Sequence, residues 1–362
     1  VIREVPTGPS DIPVDWEDVT PEWMTGAIGN HHPGAEVRDV SLLLRDDGTN
    51  RRARFGLTYA KGSGPETVFV KAEAEAHREL HARNGNLFNE AELFASRVPL
   101  AVEHPLVYLA IVDRPHLDYV VVMEDLNQRG ADPRDATRPL NVDQVANGLR
   151  GLAKLHAQYW AYVPHDQPKL GWVQTWLPTE GFQVGLRQRI PIGLDRGGDA
   201  VAREIRAHSS DEIVNFWARF VSTLADSSAT LLHGDAHIGN TYLLPDGTVG
   251  FLDWQVVRRG NWSQDVGYFL MGALTEDDRR HHERDLLNEY LSALDLEEVQ
   301  RPSAEVAYVR YRASAAYGLA VWLSTLGSDG FQSREISLAL TQRYAAAFVD
   351  LKAIDALSDL DA

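Results

Sequence analysis

The chain has 362 residues, with 35 Lys and Arg against 52 Asp and Glu, so its formal net charge is -17. A length of that order corresponds to about two domains, and 44% hydrophobic with 24% charged residues is a globular composition, which excludes disordered, collagen-like and low-complexity architectures. The absence of cysteine excludes disulfide frameworks, thiolate zinc sites and cysteine nucleophiles, and the acidic balance argues against nonspecific binding to nucleic acid or anionic membranes.

Residues 1–35 form a Pro- and Gly-rich extension. It lacks the apolar core of a secretory leader, and no run of about 18 apolar residues occurs anywhere, so the expectation is a cytoplasmic protein without a membrane segment. Thr20 before Pro21 reads as the N-cap of a short helix. Five apolar or β-branched runs follow, at Val37–Arg45, Ala53–Tyr59, Thr67–Lys71, Leu106–Val112 and Tyr119–Met123. The first three are punctuated by the turn residues Asp46-Asp47-Gly48 and Lys61–Pro65, and all five predict strands. Between them Leu87, Ala91 and Phe94 share one helical face over Leu87–Val98.

Beyond residue 125 the character changes. Asn141 and Gln144 form a capping-box pattern that opens a helix with Val145, Leu149, Leu152, Leu155 and Tyr159 on one stripe. Residues 164–200 read as irregular, Ile213–Leu224 as a helix, 230–257 as a short β-rich island, and 276–294, 303–325 and 333–357 as helices. The fold class is α+β. A small β-rich N-terminal lobe, 1–125, includes the irregular extension, and a larger, mostly helical C-terminal lobe spans 126–362. Met123, Glu124, Asp125 and Leu126 are the expected hinge.

The chemistry concentrates in His233-Gly234-Asp235-Ala236-His237-Ile238-Gly239-Asn240 and in Leu252-Asp253-Trp254, joined by an apolar run, a Pro245-Asp246-Gly247 turn and a second apolar run. That pattern predicts a hairpin, whose mouth should bring Asn240 and Asp253 side by side with Asp235 facing both. Two oxygen-bearing side chains suit a hard cation such as Mg²⁺, completed by water and substrate phosphates. A third carboxylate can orient a hydroxyl and accept its proton. Asp-x₄-Asn, a short hairpin and then an Asp is the layout of kinase-type phosphoryl transfer.

His-Gly-Asp-x-His-x-x-Asn, Leu-Asp-Trp-Gln and Asp265-Val266-Gly267-Tyr268-Phe269-Leu270 resemble the aminoglycoside phosphotransferase-like family, and most closely its ecdysteroid-kinase-like branch. The resemblance spans roughly residues 40–325 and implies a protein-kinase-like two-lobe fold that phosphorylates a hydroxyl of a small molecule with ATP or GTP and Mg²⁺. It implies Asp235 as catalytic base and Asn240 and Asp253 as metal ligands. Lys71 would contact the phosphates, and Glu90, or else Glu92, would pair with it. The loop containing Gly48, Thr49 and Asn50 would cover the phosphates, and Met123, Glu124 and Leu126 would hold adenine at the hinge. His233 and Asp265 would brace the catalytic loop, with His237 beside them in an open role. His156 reads as core packing. Trp172, Trp176, Phe182 and Trp262 either line an acceptor pocket or pack the lobe.

The partner expected is a hydroxylated small molecule, an aminoglycoside or a neutral or lipophilic alcohol, and neither a nucleic acid nor a membrane. About a dozen residues separate Asp253 from Asp265, too few for a peptide platform, so no protein substrate is expected. Two other readings compete: a catalytically inactive nucleotide-binding or scaffold protein, and a metallohydrolase built on His233, Asp235 and His237.

Overall fold

The fold is taken from a computed structural model that describes residues 9, 11–47, 50–74, 78, 85–297 and 300–361. The chain divides into two compact units. One contains the residues up to Pro99, His104–Ala131 and Asp253–Val256; the other contains Leu100–Glu103, Asp132–Leu252 and Val257–Ala362.

The first unit is built on an antiparallel five-stranded sheet of order β1-β2-β3-β5-β4, formed by β1 (Glu36–Asp47), β2 (Arg51–Lys61), β3 (Thr67–Ala72), β4 (Val107–Asp113) and β5 (Asp118–Glu124). Helix α1 (Pro21–Ile28) begins where Thr20 accepts a hydrogen bond from Trp23 N–H at 3.2 Å, and it buries Met24 and Ile28. Strand side chains alternate between faces. On β3, Val68, Val70 and Ala72 join Met24, Phe55 and Val122 in one core; on β5, Tyr119 and Val121 face the other way and pack with Leu87 and Ala91. Both faces of the sheet are covered, which is why Tyr119–Met123 is a continuous apolar run rather than an alternating one. By the same alternation Lys71, between Val70 and Ala72, points to the face that carries helix α2 (Asn89–Ala95).

In the second unit, α3 (Val142–Gln158) opens with the reciprocal Asn141 and Gln144 bonds that the sequence predicts, at 2.9 and 3.0 Å. Segment 164–200 differs from expectation, because 18 of its residues form helix α4 (Glu180–Gly197) despite Pro191 and several glycines. The glycines serve packing. A β-carbon on Gly193 would lie 1.9 Å from the carbonyl oxygen of Leu323, so only glycine lets α4 approach helix α9 (Ala304–Leu326) this closely. The remaining helices are α5 (Arg203–Arg206), α6 (Ser210–Ser222), α7 (Ser263–Ala273), α8 (Glu276–Ala293), α10 (Arg334–Asp350) and α11 (Ala353–Asp361). The last two replace a single expected helix: the chain breaks at Lys352, whose φ is +49°. Helix α7 is buried on every side, which hid its period from a search for amphipathic stripes.

The β-rich island resolves into the pair β7 (Thr230–Leu232) and β10 (Arg258–Gly260), and a three-stranded sheet of β6 (Asp132–Pro133), β8 (Thr241–Leu243) and β9 (Val249–Phe251) in the order β6-β8-β9. Strands β8 and β9 are the predicted hairpin.

Candidate active site

In the β-rich unit, Lys71 is the centre of a charge cluster. Its Nζ lies 2.6 Å from Glu90 Oε2 and 3.0 Å from Asp253 Oδ1. Helical phase separates Glu90 from Glu92. Glu90 is buried against Lys71, whereas Glu92 points outward to Arg114 at 2.7 Å. Burial alone pulls the Lys71 ammonium down, but the charges of Asp253 and Glu90 win and hold its pKa well above the ordinary value, so it is permanently charged. Burial, with the Asp253 charge, pushes the Glu90 carboxyl up against the opposite pull of Lys71. With both carboxylates ionised the three side chains sum to one negative charge.

Helix α2 also fixes the chain around Asp253. Glu90 Oε1 accepts from Trp254 N–H at 3.1 Å, and Asn89 Nδ2 donates to the carbonyl of Gln255 at 3.0 Å. Asp253 itself has φ +63°, the left-handed region that a side chain adopts at a cost of about 1–2 kcal/mol. Bonds to the residues on its C-terminal side hold it there. Its side chain is 37% exposed, far more than that of Lys71 or Glu90.

Of the expected phosphate-covering residues, Gly48 and Thr49 lie outside the described residues. Asn50 is buried, and its Oδ1 accepts from Tyr119 Oη at 2.6 Å and from Gln255 Nε2 at 3.0 Å. Its oxygen is therefore committed to bracing the Asp253 segment. At the expected hinge, Met123 packs beside Tyr119 and Val121, and Glu124 Oε1 accepts from Leu106 N–H at 2.8 Å and Arg129 at 3.0 Å. Leu126 starts a 3₁₀ turn capped by Asp125. Asp125 in turn takes hydrogen bonds from Thr67 at 2.6 Å and Asn127, and an ion pair from Arg54 at 2.6 Å, which pins the turn to the start of β3.

In the helical unit, the loop between β7 and β8 carries the remaining candidates. Asn240 Nδ2 donates to the Asp235 carbonyl at 2.9 Å and to Asp235 Oδ2 at 3.0 Å. That turns the amide oxygen of Asn240 away from Asp235, and among the described residues it accepts no hydrogen bond. Asn240 also closes the hairpin, since its carbonyl accepts from Leu252 N–H at 2.9 Å, immediately before Asp253.

The loop hangs from Asp265 on α7. Its fully buried carboxylate accepts from His233 N–H at 2.7 Å and Gly234 N–H at 2.9 Å, and Gln264 Nε2 donates to the Gly234 carbonyl at 3.0 Å. Gly234 has φ +84°, which only glycine adopts freely. Sequence reasoning assigned His156 to packing. It does more, bridging Asp265 Oδ2 at 3.3 Å and Tyr290 Oη at 2.8 Å from a buried position. The signal was its place one residue past Leu155 on a stripe otherwise wholly apolar.

The histidines are occupied by backbone. His233 Nδ1 accepts from Asp235 N–H at 3.2 Å and Nε2 meets the Leu252 carbonyl at 3.0 Å, which assigns the Nε2–H tautomer and leaves no lone pair for a metal. His237 Nδ1 accepts from Gly239 N–H at 3.0 Å, Nε2 lies 3.8 Å from Asp235 Oδ2, and the ring is wedged edge-on against Tyr268 and Trp322. This bonding removes the zinc-hydrolase arrangement of His233, Asp235 and His237. Burial first, and the Asp235 charge second, push the hydroxyls of Tyr268, Tyr317 and Tyr344 well above the tyrosine range, so Asp235 faces neutral phenols.

Asp253 in the β-rich unit and Asn240 in the helical unit each carry a side-chain oxygen, the donor type that a hard cation such as Mg²⁺ takes alongside waters and phosphate oxygens. Among the described residues, no three His, Asp or Glu side chains form a group able to hold a metal by themselves, and no helix is long and apolar enough to cross a membrane. Of the aromatic candidates, Trp262 is core, stacked on Tyr290. Trp176 and Phe182 meet edge-on, Phe182 stacks on Trp217, and Trp172 bonds the Lys169 carbonyl.

The sequence pattern of the ecdysteroid kinase-like family matches residues 67–300. No curated protein matches the chain. Among solved structures, spectinomycin phosphotransferase APH(9)-Ia, in complex with ADP and spectinomycin, is similar at 12% identity with a TM-score of 0.53, covering 94% of this chain and 100% of that one. A putative aminoglycoside phosphotransferase from Ralstonia eutropha JMP134 is similar at 15% identity and a TM-score of 0.53, covering 92% and 98%. The fold is thus protein-kinase-like, with a β-sheet N-terminal region and a mostly helical C-terminal part.

Proposed function

We propose that this chain, which belongs to the ecdysteroid kinase-like family, is a small-molecule kinase that transfers the γ-phosphate of ATP, or of GTP in its place, to a hydroxyl of a small metabolite, sterol-like alcohol or antibiotic. The observation that carries this reading is the buried Lys71 shared by Glu90 and by Asp253, the residue that directly follows the hairpin closed by Asn240. The ADP complex of a protein with the same fold supports nucleotide use.

In this reading Lys71 binds the α- and β-phosphates, and Glu90 keeps its ammonium on that line. The loop around Gly48, Thr49 and Asn50 lies over the phosphates, and the main chain of Met123, Glu124 and Leu126 receives adenine. Asp253 and Asn240 would hold Mg²⁺, which would supply charge neutralisation to the phosphates. Asp235 accepts a hydrogen bond from the acceptor hydroxyl and aligns it. The hydroxyl oxygen bonds to the γ-phosphorus as the bond to the β–γ bridging oxygen breaks. The proton passes to Asp235, and ADP leaves. Most of the rate gain comes from positioning and electrostatics. His233, Asp265 and Gln264 hold the loop that aims Asp235, and His237 packs its flank.

The test is incubation with γ-labelled ATP, Mg²⁺ and a broad set of hydroxylated metabolites, sterols and antibiotics. Label on an acceptor hydroxyl is the expected result. Tight nucleotide binding with no transfer to any acceptor would instead favour a catalytically inactive protein.

A further inference from the structure

Arg258 stands at the end of β10, paired across the ladder with Leu232, one residue before the catalytic loop begins. It is buried, at 7% exposure, and its guanidinium lies over the Trp176 ring at 5.6 Å from the centroid. The other buried arginines of this unit are neutralised by carboxylates or capped by two carbonyls. Arg279 pairs with Glu283 and Asp350, and Arg343 caps the carbonyls of Gly272 and Ala136. Arg258 has only the carbonyl of its neighbour Val257, at 3.0 Å, and among the described residues no carboxylate pairs with it. The indole N–H of Trp176 is likewise buried without a partner. The Trp176 N–H is thus withdrawn from water with nothing among the described residues to receive its hydrogen, and beside it the buried Arg258 charge has no carboxylate to offset it, a costly arrangement for a fold that gains nothing else from it.

This donor pair is continuous with Asp235. Trp176 meets Tyr317 at 5.9 Å, Tyr317 meets Tyr268 at 5.1 Å, and Tyr268 meets His237, whose Nε2 is 3.8 Å from Asp235 Oδ2. Tyr317 lies within electrostatic reach of both Asp235 and Arg258. On the open side of Trp176 the chain presents apolar surface, with Leu177 at 54% and Phe182 at 37% exposure.

We propose that Arg258, with the Trp176 N–H, is the specificity determinant of the acceptor site, and that the acceptor is an apolar hydroxy acid whose carboxylate is bound there while its hydroxyl is presented to Asp235. The proposal rests on the kinase reading above and narrows its acceptor. A carboxylate supplies the counter-ion that the fold omits and matches the planar guanidinium fork in two parallel hydrogen bonds. Burial depresses the arginine pKa, as expected of a cation whose partner arrives with the ligand.

The experiment uses hydroxy acids of increasing size, from 3-hydroxybutyrate through 12-hydroxydodecanoate to cholate, each beside its methyl ester, with γ-labelled ATP. The wild-type protein is expected to show a KM for a free acid at least about tenfold below that of its ester, Arg258→Gln to erase that difference by raising the KM of the acid, and Arg258→Lys to restore part of it. Thermal melting with each acid, without nucleotide, reads the site separately from turnover: the acid raises the Tm of the wild type and not of Arg258→Gln. Equal use of acid and ester, an acid preference that survives in Arg258→Gln, or neutral alcohols accepted while every acid is refused overturns the proposal. Labelling of no acceptor of any class defeats the kinase reading. The melting shifts then still decide the Arg258 site, and their absence overturns it.

Discussion

Glu90 meets Lys71 at 2.6 Å with both side chains buried, while Glu92, two residues further along the same helix, turns outward to Arg114. The two glutamates therefore carry opposite predictions. Glu90→Gln leaves Lys71 with the partly exposed Asp253 as its counter-charge and replaces a buried charged acceptor by a neutral one, so it is expected to cost about 2 kcal/mol of stability. Glu92→Gln loses only an exposed pair and is expected to cost less than about 1 kcal/mol. Denaturant midpoints of the two variants check this, and nucleotide titration should show weakened binding in the Glu90 variant alone.

Asp265 accepts two backbone N–H groups of the loop that carries Asp235, and a contact from the ring of His156. Asp265→Asn keeps the shape but replaces an acceptor with a donor facing buried N–H groups. We expect a loss of about 2–4 kcal/mol in stability together with a fall in turnover. His156→Ala, which also orphans the Tyr290 hydroxyl, is expected to lose turnover by a smaller factor. Melting curves and phosphate transfer measured on the same preparations test both.

Asp125 gives a pH signature. Burial pushes its carboxyl up, but the Thr67 hydroxyl, the Asn127 N–H and Arg54 outweigh it and hold the pKa below the usual carboxylate value. A depressed carboxyl stabilises the fold fully above its unfolded pKa, and that contribution is lost as pH falls through the folded pKa. Asp125→Asn should therefore cost about 2 kcal/mol at pH 7. The gap from wild type should narrow as pH falls below about 4, the unfolded value, and vanish only below the lower folded pKa. Urea unfolding at a series of pH values measures it.

In the proposed function Asp253 couples Lys71 to Mg²⁺. Asp253→Ala removes an exposed carboxylate and one of the two negative charges beside Lys71. Nucleotide binding should lose its dependence on Mg²⁺, and the residual affinity should be the same with and without the ion. Calorimetric titrations at two Mg²⁺ concentrations read this directly.

Much of this was legible in the sequence because it depends on short-range patterns. The β-branched run Thr67–Lys71 marked β3 and the lysine that ends it, turn residues defined the hairpin from Thr241 to Phe251, and Asn141 with Gln144 marked the start of α3. Glu90 and Glu92 could be separated in phase but not assigned, because the choice depends on which side of α2 the sheet covers. Helix α4 was hidden for a different reason. Its glycines looked like breakers, and their purpose, close approach to Leu323, is a tertiary fact. The break at Lys352 carries no Gly or Pro, and arises where Arg312 draws the Leu351 carbonyl at 2.7 Å. Arg258 was invisible in an Arg-Arg pair that reads as surface, since its burial is set by Trp176, more than eighty residues upstream in the chain.

The central claim is that Asp235 serves the acceptor hydroxyl and not the nucleotide, and single-turnover transfer from γ-labelled ATP in wild type and Asp235→Asn tests it most directly. The account predicts label on the acceptor in the wild type, a rate lower by at least about 10²-fold in Asp235→Asn, and nucleotide affinity equal in the two. An Asp235→Asn protein that transfers label at the wild-type rate, or one that has lost nucleotide binding instead, contradicts it.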